Sequence, residues 1–581
     1  VAALLVLVRP TATFAVTLDR AGDTSLGLRA YTAVRIGTEK FRNFSFPPSA
    51  AGNLRQHRYF LEVKFKHDLT GLIETTRGPL ALFRHLPFPV DQLKYTMAYR
   101  GEGEGLYDYG PRAYTTFDDY KTFRPDVPDI LQPTREEMLE FGRELQRRTR
   151  RVARQRHRLF LAFVDLDSGP VFLRIGRQNL SWGEMDTFRL LDNINPLDNG
   201  FGSFFIPLDE RRIPLDMLRL NVALPDRGPF EQGFFEGFAG FGNRIAFQPG
   251  IPVGSPWNPG ALNFPLTQSR RLRNVPDLST MRFGGRFVFN VRDVTLSVAQ
   301  YWTFLDTPHV KVRVPAGVPT INHRIQSLSA APRVPITGAS MSFAVPSWYA
   351  IVRSEFAYFH GAPAHCQGIG TPNEALQDPN STDPAVQRDL ARLQRNLDKG
   401  CIDPLRYPGF GLSPTPLISD RTKKDSANFA VGLDFNRYLR WLNPHQSFLI
   451  TTQFFYKHIV DAYADQVQPV LVRQDPLRLS SSPFTPLLNG RKLDLIFARE
   501  QQDQFLQTLR IQTSYRGGTV QPAFTLFYDW TGAWLYQPSL RLVRDPFRFV
   551  VDYTGISGVL GGQIGLLRDR DTVRFQAEVV F

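Results

Sequence analysis

One pattern restricts this chain more than any other: apolar and polar residues alternate strictly in segments of about ten residues. The last segment, Val573 to Phe581, reads V-R-F-Q-A-E-V-V-F. Val573, Phe575, Ala577, Val579 and Phe581 share one parity; Arg574, Gln576, Glu578 and Val580 share the other. Successive side chains of a β-strand point to opposite faces, so such a segment has one apolar face and one largely polar face. A helix would repeat at 3.6 residues and would not separate these sets. A soluble sandwich can hold one strand of this kind. Recurrence along the whole chain is the pattern of a transmembrane β-barrel.

The recurrence is easy to follow. Leu26, Leu28, Ala30, Val34 and Ile36 oppose Arg29, Tyr31 and Arg35; Tyr59, Leu61, Val63 and Phe65 oppose Glu62, Lys64 and Lys66. Leu218, Leu220, Val222 and Leu224 oppose Arg219 and Asn221. Counting such segments predicts an all-β fold, a barrel of about 18 antiparallel strands (16–18). Short connections at Asp167–Gly169, Pro225–Pro229, Val291–Asp293 and Gly517–Gly518 alternate with long ones near 180–212, 241–279, 303–334 and 359–424. Outer-membrane barrels join strands by short periplasmic turns and long extracellular loops, and an even strand number puts both termini on the periplasmic side. The 47 Phe and 19 Tyr suit aromatic girdles. No apolar run of about 18 residues is present, which excludes a helical membrane protein.

No linker divides the chain, so residues 16–581 are read as one barrel domain. Residues 1–15, with the apolar run Ala2 to Val8, read as the remnant of a signal peptide. A helical insert is expected at about 133–155, opened by the Thr134/Glu137 capping box and carrying Met138, Phe141 and Leu145 as a narrow apolar stripe. It is expected to pack on the barrel mouth, with binding to a partner or a lipid surface as the alternative. A loop helix is expected at about 384–398, between Cys366 and Cys401, the two cysteines of the chain. In an exported protein they are expected to form a disulfide across that loop.

With the apolar parity toward lipid, the other parity lines the lumen. Arg174, Arg219, Arg282, Arg286, Arg510, Arg548 and Arg574 fall there, with Arg29, Arg35, Lys64, Lys66, Lys94, Arg100 and Arg541, against Glu62, Asp434, Asp529, Asp552 and Glu578. A basic lumen with an anion bias is the expectation. The 180–212 loop carries Trp182, Glu184, Asp186, Phe188 and Asp192 and is too apolar to stand in water, so it is the candidate constriction, packed inward or presenting a greasy surface. The formal charge of +14 raises nucleic acid as a partner, but no nucleic-acid module is present and the cations follow strand parity. Neither a zinc-protease helix motif nor a nucleophile elbow occurs, so no catalytic residues, cofactor or metal are expected.

The runs G-R-Q-N-L-S-W-G-E-M-D (176–186), L-D-N-I-N-P-L-D (191–198) and E-R-R-I-P-L-D-M-L-R-L (210–220) resemble the proteobacterial outer-membrane barrel family known as domain-of-unknown-function 1302. The resemblance implies a bacterial outer-membrane barrel encoded near inner-membrane permeases, often with a periplasmic partner, and linked to hydrophobic compounds. It assigns no functional residue. The terminal Phe581 is similar to the signal read by the barrel-assembly machinery. The resulting expectation is a channel or transporter for small or lipophilic solutes, set in outer-membrane lipid. An export barrel for an anionic polymer and a structural or adhesive surface barrel stand as alternatives.

Overall fold

The computed structural model describes residues 16–39, 49–75, 89–116, 135–186, 188–240, 255–257, 267–271, 281–306, 309–313, 325–365, 417–419, 421–460, 467–473, 487–488, 491–499, 502–558 and 564–581, and the single positions 382, 384, 387 and 391. The 1–15 segment, Thr134, Cys366, Cys401 and nearly all of 384–398 lie outside the described residues.

Eighteen strands form a closed antiparallel ring. In chain order they are β1 (Thr24–Gly37), β2 (Leu54–Asp68), β3 (Gln92–Glu104), β4 (Gln155–Ser168), β5 (Val171–Gln178) and β6 (Leu215–Ala223). There follow β7 (Phe230–Gly240), β8 (Phe283–Val291), β9 (Val294–Phe304), β10 (Arg333–Val345), β11 (Ala350–His365) and β12 (Arg421–Arg437). The last six are β13 (Phe448–Ile459), β14 (Asp503–Gln512), β15 (Val520–Asp529), β16 (Ala533–Arg544), β17 (Phe547–Gly558) and β18 (Thr572–Val580). Each strand pairs with the next in sequence, and β18 pairs with β1 from Arg29↔Val580 to Gly37↔Thr572. Closure leaves no unpaired edge, which a bilayer would not tolerate. The two-residue strand Val16–Thr17 adds to the start of β1.

Strand parity sorts the two faces as the alternation requires. Val34, Phe575, Val551, Leu540 and Pro522 lie side by side across β1, β18, β17, β16 and β15, a continuous apolar outer row. Phe575 is 49 % exposed in the isolated protein, whereas Val550 and Val580, of the opposite parity, are buried inside. Bare apolar side chains in register are what lipid requires of an outer wall, and the barrel is an outer-membrane barrel.

The tight turns after β4, β8, β14 and β16 lie at one end of the ring. Gly169, Gly517 and Gly518 take positive φ in their turns, where a Cβ would be strained. Arg292 does the same without being glycine, at φ 55. The opposite end carries most of the long connections and the short one between β15 and β16, while the long 69–91 connection between β2 and β3 lies at the turn end beside Asp167. The α-helix Arg135–Ala153 lies in the β3–β4 connection. There Ala153 packs with Leu106, Tyr107, Tyr114, Phe201 and Ile206, and Arg150 Nη2 donates to Tyr107 O at 2.9 Å. The helix therefore seals against the barrel mouth.

Candidate functional site: a loop tied across the lumen

The connection between β5 and β6, residues 179–214, folds into the barrel. Its apolar content explains why: Trp182, Met185, Leu190, Leu191 and Ile194 are all buried against inward-facing Phe238, Ala299, Tyr301, Val334, Ile336, Ala357 and Phe455. Trp182 meets Phe238 and Tyr301 edge-on at 5.2 and 5.5 Å, and Phe188 meets Phe455 at 4.6 Å. Gly338 on β10 lies directly under Leu191, where a Cβ would collide with the leucine.

Polar contacts orient this half of the loop. The Glu355 carboxylate on β11 accepts the backbone N–H groups of Glu184, Met185 (2.9 Å) and Leu191 (3.2 Å). Tyr301 Oη donates to Leu191 O at 2.8 Å. Asp186 accepts from Arg353 and Gln453 at 3.1 and 3.0 Å, and Asp192 pairs with Arg212. The Asn195 side chain staples the ends of the loop together, accepting from Leu180 N (2.8 Å) and donating to Ile213 O (2.9 Å).

The other half is held by the opposite wall. Glu210, on a single helical turn Leu208–Arg211, accepts from Arg29 (2.9 Å), Tyr31 (2.7 Å) and Arg58 (2.8 Å), and its carbonyl accepts from Arg100 (2.9 Å). Arg58 also pairs with Glu102 at 3.0 Å. Gln56 and Arg35 donate to the carbonyls of Phe201 and Phe205. Burial alone would raise the Glu210 carboxyl, but the guanidiniums of Arg58 and Arg29, with the Tyr31 hydroxyl, hold it below the ordinary carboxylate range. In the ring of eighteen, β2 and β11 stand nine places apart, so Arg58 and Glu355 anchor the loop to opposite walls.

The predicted lumen arginines fall into two groups. Arg174 pairs with Asp165, Arg219 and Arg286 share Glu236 (2.5 and 2.6 Å), and Arg574 pairs with Asp552. Arg286 also lies 5.3 Å from the ring of Trp182, which places it on the inner face. Arg282 donates to Thr303 and lies over Phe304. Arg510 donates to Gln512, and among the described residues neither it, Arg541 nor Arg548 has a carboxylate at ion-pairing distance. Sequence reading did not select Glu102, Asp165, Glu210, Glu236 or Glu355. Parity alone could have placed Glu236, flanked by Phe235 and Gly237, and Glu355, flanked by Ser354 and Phe356, on the inner face. Nothing local to Glu210 marks it as a tether.

Among the solved structures to which the chain is similar are several channel-forming outer-membrane proteins. Three of them are Acinetobacter baumannii OccAB4 (9% identity, 96% of this chain and 97% of that chain, TM-score 0.40), Pseudomonas aeruginosa OccK8 (OprE) (8%, 96% and 97%, 0.36) and Salmonella typhi OmpF in complex with daunomycin (7%, 96% and 98%, 0.35). Likeness at this level carries no inference about what this chain does. No curated protein matches the chain. The model of a family described as protein of unknown function (DUF1302) matches residues 95–236, the stretch that runs from β3 through the inward loop to β7.

Proposed function

We propose that the protein is an outer-membrane channel for small solutes, narrowed by the 179–214 loop and biased toward anions. The single observation that carries this reading is the uneven pairing of lumen arginines. Where a guanidinium faces a carboxylate, the two fields largely cancel a few ångströms away. Arg510, Arg541 and Arg548 stand on β14, β16 and β17 without such partners among the described residues. They therefore leave a strip of net positive charge along one wall. Positive charge in a water-filled, low-dielectric tube concentrates anions and delays cations. A loop fixed to opposite walls supports small solutes over a polymer, because an extended chain would have to displace it. Most of its described apolar side chains, Trp182, Met185, Leu190, Leu191 and Ile194 among them, pack on the barrel wall, and Phe204 stays exposed.

The test is reversal potential across a salt gradient in a planar bilayer. Replacing Arg510, Arg541 and Arg548 together by Gln lowers the anion/cation permeability ratio, most at low salt, since the Debye length is about 10 Å at 0.1 M and longer below it. The paired double change Arg174→Gln with Asp165→Asn removes no net charge and leaves the ratio near wild type. An unmoved reversal potential in the triple variant, with folding verified by heat-modifiable gel migration, rejects the anion bias.

A further inference from the structure

Between the tip of the inward loop and the wall of β16, β17, β18, β1 and β2 lies a cavity of about 100 Å³, part of it open to the lumen. Ile206, Pro207 and Glu210 close it from the loop side. Six arginines line it, and their pairing is unequal. Arg29 and Arg58 are engaged by Glu210, with Glu578 and Glu102 as second partners, and Arg574 by Asp552. Arg35, Arg541 and Arg548 have no carboxylate at ion-pairing distance among the described residues.

Arg35 is the informative one. It is 1 % exposed, and its guanidinium lies 5.8 and 5.9 Å from the ring centroids of Phe205 and Trp257. It donates from Nε to Gln56 and from Nη2 to Phe205 O, both at 3.1 Å, while Nη1 is buried with no acceptor. A buried charged donor without an acceptor is strongly unfavourable unless a ligand supplies one.

We propose that this cavity is a binding site for a small dianionic oxyanion. The inference rests on the anion-channel reading and adds a discrete station to it. Three uncompensated guanidiniums call for at least two negative charges. Their planar N–H arrays call for several oxygen acceptors on one small group, which phosphate and dicarboxylates offer and chloride does not. The cavity is small, with room for a compact ion and not for a drug-sized molecule. The aromatic rings flanking Arg35 fix its direction, so the site is formed before the ligand arrives.

The experiment records chloride current through the full-length barrel in a planar bilayer while inorganic phosphate is added at constant ionic strength. It is run at about pH 8, where phosphate carries two charges. A parallel arm uses malonate, which separates phosphate chemistry from carboxylate chemistry. Expected is a saturable fall in chloride current with at least one of the two. The half-saturating concentration rises about tenfold in Arg35→Gln and by a smaller factor in Arg541→Gln. Arg541 is exposed, so its variant tests the site even if the buried change prevents assembly. A fall that does not saturate with either probe overturns the proposal, and so does a half-saturating concentration that neither substitution moves. An anion-biased reversal potential with no saturable block rejects this site alone. A cation-biased one rejects the channel reading beneath it.

Discussion

Glu210→Gln offers the sharpest test of the loop as a tether. The carboxylate is buried and accepts from two guanidiniums and one phenol. Removing one member of a buried ion pair typically costs about 3–5 kcal/mol, because a charge is left without compensation. Here each guanidinium keeps another carboxylate: Arg29 retains Glu578 and Arg58 retains Glu102. The amide oxygen also still accepts one hydrogen bond. The loss should therefore fall near the lower limit, about 3 kcal/mol, which shifts the balance between tethered and released loop by roughly a hundredfold. Gln56 to Phe201 O and Arg35 to Phe205 O remain, so the release is confined to residues around 206–212. In single-channel recordings the variant should show larger and noisier conductance than wild type. Acid should do the same to the wild type. The Glu210 carboxyl is held below the ordinary value of 4.5, so its contribution is complete above that value and is lost as pH falls through the lowered one. The part of the conductance change that depends on Glu210, read as the difference between wild type and Glu210→Gln, should thus stay constant from neutral pH down to about 5 and shrink only below. Identical conductance and noise in the folded variant would mean that the Glu210 contacts do not hold the loop, and the tether argument would fail.

Two further outcomes check the wall and the loop core. Phe575→Arg places a guanidinium in the apolar row with Val34 and Val551 and should destabilise the barrel by roughly 2–4 kcal/mol, whereas Gln576→Leu, on the inner face of the same strand, should stay within about 1 kcal/mol; urea midpoints read from heat-modifiable gel migration compare them, and equal effects would reverse the face assignment. Trp182→Ala empties the space between Phe238 and Tyr301 and should loosen the loop by about 3–5 kcal/mol, seen as new proteolytic cleavage within 179–214 in an otherwise intact barrel; an uncut loop would show that the tryptophan does not anchor it.

The structure also changes what Arg574 means. From parity alone, Arg574 is a lumen cation whose loss should matter little to folding. It is bound to Asp552, a carboxylate fully buried in the inner wall, and Arg574→Leu would strand that charge. The same correction applies to Arg219 and Arg286. Each interrupts an apolar alternation and faces inward as its parity requires, yet both are occupied by Glu236. Across the barrel, Arg510, Arg541 and Arg548 have no carboxylate at ion-pairing distance among the described residues.

What the sequence determined by itself was everything with a short range. Period-two alternation assigns a strand and divides its faces without reference to any partner, and Gly169 and Gly517–Gly518 mark their turns because only the local backbone decides them. The alternation of short and long connections then orients the barrel, and eighteen segments predict the eighteen strands of the ring. What only the tertiary structure decided was which charges meet. Glu210 is 152 residues from Arg58 in the chain and 181 from Arg29, and the backbone N–H of Glu184 is 171 residues from its acceptor Glu355. Parity places a residue on the inner face but carries no information on strand tilt or on how far an inward loop reaches. Those two quantities set the distance between unlike charges, and distance decides whether an arginine is neutralised or left to act on a passing ion.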